Sequence, residues 1–257
     1  MTKSIDSRDF GLARLRTVDC IAVPVVADHP GDRLEELRRR VAGRIVFTTS
    51  FGIEDQAIVH LIAERSLAIE VATLDTGRLF PSTYALWAET EQKYALRIAS
   101  FHPDADALGT FVAAQGINGF YQSIDARQAC CNIRKVEPLG RSLAGAAAWV
   151  TGLRADQSGN RAAVTLESWD DTRGLIKFAP LFDWDREQVA DFCAVERIPI
   201  NPLHAEGFVS IGCQPCTRAI TPGESERAGR WWWESDQSAE CGLHIGADGR
   251  LVRRKVA

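Results

Sequence analysis

Between Arg44 and Asp55 the chain reads Arg-Ile-Val-Phe-Thr-Thr-Ser-Phe-Gly-Ile-Glu-Asp, an apolar, β-prone run that breaks at a Ser/Gly turn and opens onto an acidic helix start. Arg44–Thr49 predicts a strand, and Glu54–Arg65 a helix with its apolar stripe on Ala57, Ile58, Leu61 and Ile62. The alternation continues outward. Ala68–Leu74 predicts a second strand, and a helix follows from about Pro81, a residue suited to the first helical position. Gly145–Thr151 and Leu175–Leu181 predict further strands, and Asp185–Val195 a helix with Asp185 and Gln188 spaced as a capping box. Strands and helices alternating over short connections imply an α/β fold with a parallel sheet. Three parts are expected: a lead-in over residues 1–40 ending in the charged helical stretch Asp32–Arg40, an α/β domain over 41–204, and a segment over 205–257. The last is irregular, rich in Gly, Pro, Cys and Trp, and expected to lie over the ligand edge of the sheet.

The chain has 257 residues, 46% apolar and 25% charged, enough for one large domain with a substantial core. A formal net charge of −4 argues against a general nucleic-acid or membrane-surface binder, so an anionic ligand must be met by locally placed arginines. No apolar run approaches the roughly 18 residues of a membrane span. The first residues lack the apolar core of a secretory signal, which leads us to expect a cytoplasmic protein. There, seven cysteines are better read as ligands, nucleophiles or core residues than as a disulfide framework.

Three polar turns follow predicted strands. Ser50-Phe51-Gly52 offers backbone N–H groups at a helix start, where the dipole favours an anion. Glu54 and Asp55 in the first turn work against a triphosphate, and the chain contains neither a Gly-Lys P-loop nor GxGxxG. Leu74-Asp75-Thr76-Gly77-Arg78 ends the next strand, so the two turns wall one crevice, as strand ends do in open α/β sheets. Gly152-Leu153-Arg154 through Arg161 is a Gly/Ser-rich loop whose arginines suit bidentate contact with phosphate or sulfate. Each motif by itself also reads as a plain turn or a solvated loop.

The cysteines carry more. Cys130-Cys131 and Cys213-Gln214-Pro215-Cys216 supply four thiols, a set that holds zinc or an iron–sulfur cluster. Adjacent thiolates are awkward around one small ion, whereas a cluster offers separate iron corners; iron–sulfur is therefore favoured, with a lone CxxC redox dithiol as the rival. Arg134 and Lys135 stand where positive charge offsets thiolates. Cys241, beside Gly242 and close to His244, is either a nucleophile carried on a terminal segment or a bland surface thiol. Arg227 and Arg230 precede Trp231-Trp232-Trp233 and suit an anion clamp. Cys193 shares a helical stripe with Val189 and Phe192 and reads as core; His60 reads as packing, and His204 as a neighbour of the CxxC turn.

Taken in order, TTSFGIED, LDTGRLFPSTY, CCNIRKVEPL, TGLRADQS, GCQPCTR and ECGLH resemble the sulfonucleotide reductases, specifically the iron–sulfur adenylyl-sulfate (APS) reductases of bacteria, over about Ile45 to His244. The resemblance implies an adenine-nucleotide α-hydrolase-like fold, related to the ATP pyrophosphatases. It implies that Cys130, Cys131, Cys213 and Cys216 hold one four-iron–four-sulfur cluster, with Lys135 between cluster and substrate. It puts Ser50, Phe51, Gly52, Leu74, Gly152, Arg154 and Arg161 around the nucleotide, Arg227 and Arg230 with His244 at the phosphosulfate, and makes Cys241 the nucleophile. The implied reaction reduces adenosine 5′-phosphosulfate to sulfite and AMP, with thioredoxin or a similar dithiol as donor, in sulfate assimilation and cysteine biosynthesis.

Three rivals remain at this level: a reductase for the 3′-phosphorylated substrate (PAPS), an ATP-dependent adenylating enzyme of the same fold, and a non-enzymatic redox sensor. Members specialised for PAPS generally lack the cluster cysteines, which favours APS. Oligomeric state, a homo-oligomer included, is left open.

Overall fold

The first strand forms where the sequence predicts it: β1 (Arg44–Thr49) is the hub of a six-stranded sheet. With β2 (Glu70–Leu74), β3 (Ala99–Phe101), β4 (Ala146–Val150), β5 (Glu167–Asp170) and β6 (Leu175–Phe178), the order is β3-β2-β1-β4-β6-β5. This is a computed structural model, and it describes residues 28–234. Ile45, Val46 and Phe47 are all buried, as a strand covered on both faces requires. Every neighbouring pair is parallel except β5 with β6. That antiparallel edge is added to the parallel sheet that the sequence predicts. It is a hairpin in which Asp170 accepts from the backbone N–H of Thr172 and Arg173, and Gly174 takes φ 67°. From β1 the chain builds outward on one side through β2 and β3, and on the other through β4 and β6. The strand order therefore reverses between β1 and β4, the point at which such sheets open a crevice.

Seven helices cover the faces among the described residues: α1 (Pro30–Arg40), α2 (Ile53–Glu64), α3 (Pro81–Tyr94), α4 (Ala105–Gln115), α5 (Ile124–Cys131), α6 (Glu137–Ser142) and α7 (Arg186–Val195). α1 packs onto the main core. Leu34 and Leu37 are fully buried in the main core, and Arg33 donates to both carboxylate oxygens of Asp183 at 2.6 and 2.7 Å. α7 carries the expected capping box, Asp185 accepting from Gln188 N and Gln188 from Asp185 N, both at 2.8 Å. Cys193 sits in the core beside Val189, its thiol pushed up to about 12 by burial. His60 packs between the Tyr94 and Phe192 rings. The opposite face of the sheet buries Val46, Ala72, Trp149 and Leu175 against Leu139 and Leu143. No helix among the described residues is long and apolar enough to cross a membrane.

Among the described residues beyond α7, up to residue 234, the chain forms two short 3₁₀ turns (Pro202–Glu206 and Gln214–Cys216) and one antiparallel bridge, Thr217 to Arg230. It is fastened to the C-terminal end of the sheet by Gln214 N, which donates to the Arg78 carbonyl at 2.7 Å.

Candidate active site

The register sets Thr49 beside Thr73 and Phe47 beside Val150, so the turns after β1, β2 and β4 leave the sheet at one end. They wall a crevice of about 190 Å³. Ser50, Phe51 and Gly52 line it from β1, Leu74 and Thr76 from β2, Gly152 from β4; Val209–Gly212 and Glu226–Trp231 cross the opening. Lys135, Arg161, Arg227 and Arg230 bring positive charge to its walls.

The β1 turn is pinned from below. Asp55 accepts from Ser50 N at 2.6 Å and from Ser50 Oγ at 2.8 Å. Phe51 adopts φ 61° with its N–H on Thr49 Oγ1, and Gly52 caps α2. Burial pushes the Asp55 carboxyl up to about 7 against the pull of those two hydrogen bonds. Gly152 is required by proximity: a Cβ there would lie 2.2 Å from Asp55 Oδ1. Burial also opposes ionisation of Glu54, but Arg154, a backbone N–H and Gln157 outweigh it, and its carboxyl is held below the ordinary value.

Arg154 does not line the crevice. It is fully buried, donates to Glu54 and Glu226 at 2.9 Å each and to Asp156, and so ties the β4 turn, α2 and the C-terminal segment together. Gln157 extends this network. Its amide donates to Glu54 at 3.1 Å, while its carbonyl oxygen accepts from Arg161 at 2.6 Å. Arg161 itself faces the crevice. Opposite, Arg230 packs 4.7 Å from the centroid of the Trp231 ring, and its buried Nε has no hydrogen-bond partner among the described residues. Gly212 makes room for it, since a Cβ there would fall 2.2 Å from Arg230 Nη2.

A second, smaller pocket adjoins the first. Cys130 and Cys131 end α5, where a π-helical turn (Asn132–Val136) turns Arg134 and Lys135 toward the same place, and Cys213 and Cys216 flank a 3₁₀ turn. All four line one pocket with Arg78, Arg127, Arg134, Lys135 and Trp231. No carboxylate among the described residues lines it. Thr76 Oγ1 lies 3.3 Å from Cys213 Sγ. Burial works against the Cys213 thiolate, yet Lys135, Thr76, Arg230 and Arg134 shift its thiol down; burial and the Cys213 thiolate push Cys216 up to about 12. As placed, no three His, Cys, Asp or Glu side chains among the described residues form a set that could hold a metal ion. The thiols share a pocket without closing on a single-ion site. Four soft donors ringed by guanidinium and ammonium groups suit a polyanionic thiolate assembly. Lys135 and Trp231 line both pockets and form their common wall.

The phosphoadenosine phosphosulfate reductase domain family matches residues 44–219, from the first residue of β1 past the CxxC turn. The chain belongs to this family. Adenosine 5′-phosphosulfate reductase from Agrobacterium fabrum is 56% identical over 205 residues, covering 80% of this chain and 79% of that protein. The protein of the same name from Allochromatium vinosum is 52% identical over 200 residues, 78% of each chain. A crystal structure of phosphoadenylyl-sulfate (PAPS) reductase from Candida auris, a phosphate complex, superposes with a TM-score of 0.64 at 25% identity, covering 75% of this chain and 90% of that one.

Within this family fold, the expected residues Ser50, Phe51, Gly52, Leu74, Gly152, Arg161, Arg227 and Arg230 meet in one crevice, and Lys135 stands at its border with the four cysteines. Cys241 and His244 lie outside the described residues. His204 donates from Nδ1 to the Phe208 carbonyl at 2.8 Å and lines neither pocket. Sequence reasoning missed Thr76 as the link between pockets and Glu226 as the partner of Arg154. Thr76 lay inside a quoted motif, but nothing local marks Glu226.

Proposed function

We propose that this reductase converts adenosine 5′-phosphosulfate to sulfite and AMP, with Cys241 as nucleophile and a dithiol protein such as thioredoxin as reductant. The observation that carries this reading is the shared wall: a cationic crevice at the strand switch point abuts a four-cysteine pocket through Lys135 and Trp231. The Cys241 thiolate attacks the sulfur of the sulfo group. An S–S bond forms, the S–O bond to the phosphate breaks, and AMP leaves with the electron pair. Phosphate is a good leaving group near neutral pH, so the site needs positive charge more than a strong acid; Lys135, Arg227 and Arg230 provide it. One thiolate of the dithiol then attacks Cys241 Sγ: the bond from Sγ to the sulfo group breaks, sulfite leaves with its electron pair, and a mixed disulfide joins the donor to Cys241. The second thiol closes the donor's disulfide and returns the Cys241 thiolate.

Cys130, Cys131, Cys213 and Cys216 are the residues that would hold a four-iron–four-sulfur cluster. When bound, such a group supplies electrostatic tuning beside Lys135, since the electrons come from thiols. The alternative substrate is PAPS, which the intact four-cysteine set disfavours. The chemistry and the absence of a membrane-spanning helix among the described residues agree with a cytoplasmic setting.

The test is mass spectrometry of the protein mixed with adenosine 5′-phosphosulfate and no reductant. A sulfite-sized adduct on Cys241, lost in Cys241→Ser with the brown absorbance retained, is expected. Turnover without that adduct overturns the mechanism, and faster sulfite release from PAPS overturns the substrate.

A further inference from the structure

Phe51 is the one crevice-lining residue of the β1 turn in the left-handed region, at φ 61°, a conformation that glycine takes freely and a bulky residue resists. The turn has no glycine at that position, so something must hold Phe51 there. Its ring is 1% exposed and stacks on Trp87 of α3, with centroids 5.7 Å apart and planes 26° apart. Trp87 is itself fixed: its Nε1–H donates to Glu91 at 3.3 Å, and Glu91 also accepts from Ile98 N at 2.8 Å. A ring pair of this kind contributes beyond its buried area. Strain held by surrounding packing at a ligand site is a means of pre-organisation.

We infer that Trp87, which does not line the crevice, is a positioning residue for nucleotide binding: by stacking on Phe51 it locks the strained Ser50–Gly52 turn in the shape that walls the crevice. A glycine at 51 would remove the strain but also the handle by which α3 grips the turn. The inference rests on the adenine-nucleotide reading above, and its test separates the two.

AMP affinity of the cluster-loaded protein is measured by calorimetry, alongside KM and kcat for adenosine 5′-phosphosulfate. Trp87→Ala is expected to weaken AMP binding and raise KM about tenfold, with kcat and the brown absorbance little changed, because a turn that wanders affects ground and transition states alike. Trp87→Phe keeps a stacking ring and should recover most of the loss, which also guards against a variant that simply misfolds. The decisive comparison is a double-mutant cycle. Phe51→Gly should weaken AMP binding in the parent but cost nothing further in Trp87→Ala, because the grip is already gone. Strictly additive losses, or a Trp87→Ala protein that is less stable yet binds AMP as the parent does, overturn the clamp and leave the nucleotide reading intact. A parent protein that binds no AMP overturns both.

Discussion

The crevice and the cysteine pocket share Lys135 and Trp231, yet they are held together by opposite means. The crevice is internally balanced. Its turns leave buried strands, Asp55 holds the β1 turn through Ser50, and Arg154 cross-links three stretches of chain through Glu54, Asp156 and Glu226. The cysteine pocket gathers four thiols and four cationic side chains with no lining carboxylate among the described residues. Arg127 is already met by the buried Glu234 at 2.6 Å; the positive charge of Arg78, Arg134 and Lys135 suits thiols that are ionised, as they are when coordinating a metal cluster. One site is thus held by its own protein contacts, whereas the other, on the reading proposed above, is completed by the cluster it would bind.

The strongest way to break that comparison is Cys213→Ser. Cys213 sits beside Thr76, with Lys135, Arg230 and Arg134 acting on its thiol, so its loss should abolish the brown absorbance and reduce sulfite formation to background. AMP binding, measured by calorimetry, should survive within a few-fold if the crevice stands alone. Collapse of both would make the two pockets one cooperative unit.

Arg154→Ala probes the other side. Removing a fully buried guanidinium leaves Glu54 and Glu226 facing each other without the cation between them, and breaking a buried ion network in this way costs about 3–5 kcal/mol. Urea denaturation should report that loss, with cluster absorbance per folded molecule unchanged. The effect is one of architecture, since Arg154 holds the walls without facing the ligand.

This division explains what could be read from the chain alone. β1, β2, β4 and β6 and the Asp185 capping box follow from apolar runs and local spacing. The four cysteines announce themselves because thiols seldom fall in such doublets by chance. β3 has three residues and β5 is the polar run Glu-Ser-Trp-Asp, so neither carries a strand pattern. The grip on Arg154 was invisible: Glu54 lies 100 positions away and Glu226 72, and no local rule pairs charges over such distances. Arg154 and Arg161 look equivalent in sequence, yet one became a strut and the other a wall.

Asp55→Asn sharpens the view of the crevice as a balanced network with one uneven member. The folded carboxyl is pushed up to about 7 from 3.8, so between those values the folded protein binds more protons than the unfolded chain. The stability Asp55 contributes is full below the lower value and is lost as pH rises through the upper one. From pH 5 to 8 the parent should therefore lose about 2–3 kcal/mol that Asp55→Asn, whose amide oxygen still accepts from Ser50, does not lose. Parallel stability–pH curves for the two proteins would show that Asp55 stays ionised and that its hydrogen bonds outweigh burial.

Gly212→Ala makes the smallest change and tests the seam between the two regions. Gly212 immediately precedes Cys213, and its backbone is outside the left-handed region, so alanine meets no conformational penalty. What it meets is Arg230: the new methyl carbon would lie 2.2 Å from Nη2 and 2.5 Å from Cζ. The obstacle is the far end of a flexible side chain, so the guanidinium swings aside at little cost in stability and vacates the crevice wall. Losing one charge-assisted contact to the phosphosulfate should raise KM about tenfold, near the low end for such a bond. Cluster absorbance and AMP binding should hold if, as proposed, Arg230 meets the sulfo group, which AMP lacks. If colour is lost instead, the strain has passed through the backbone into Cys213, and the two pockets are mechanically coupled at this residue, not merely adjacent.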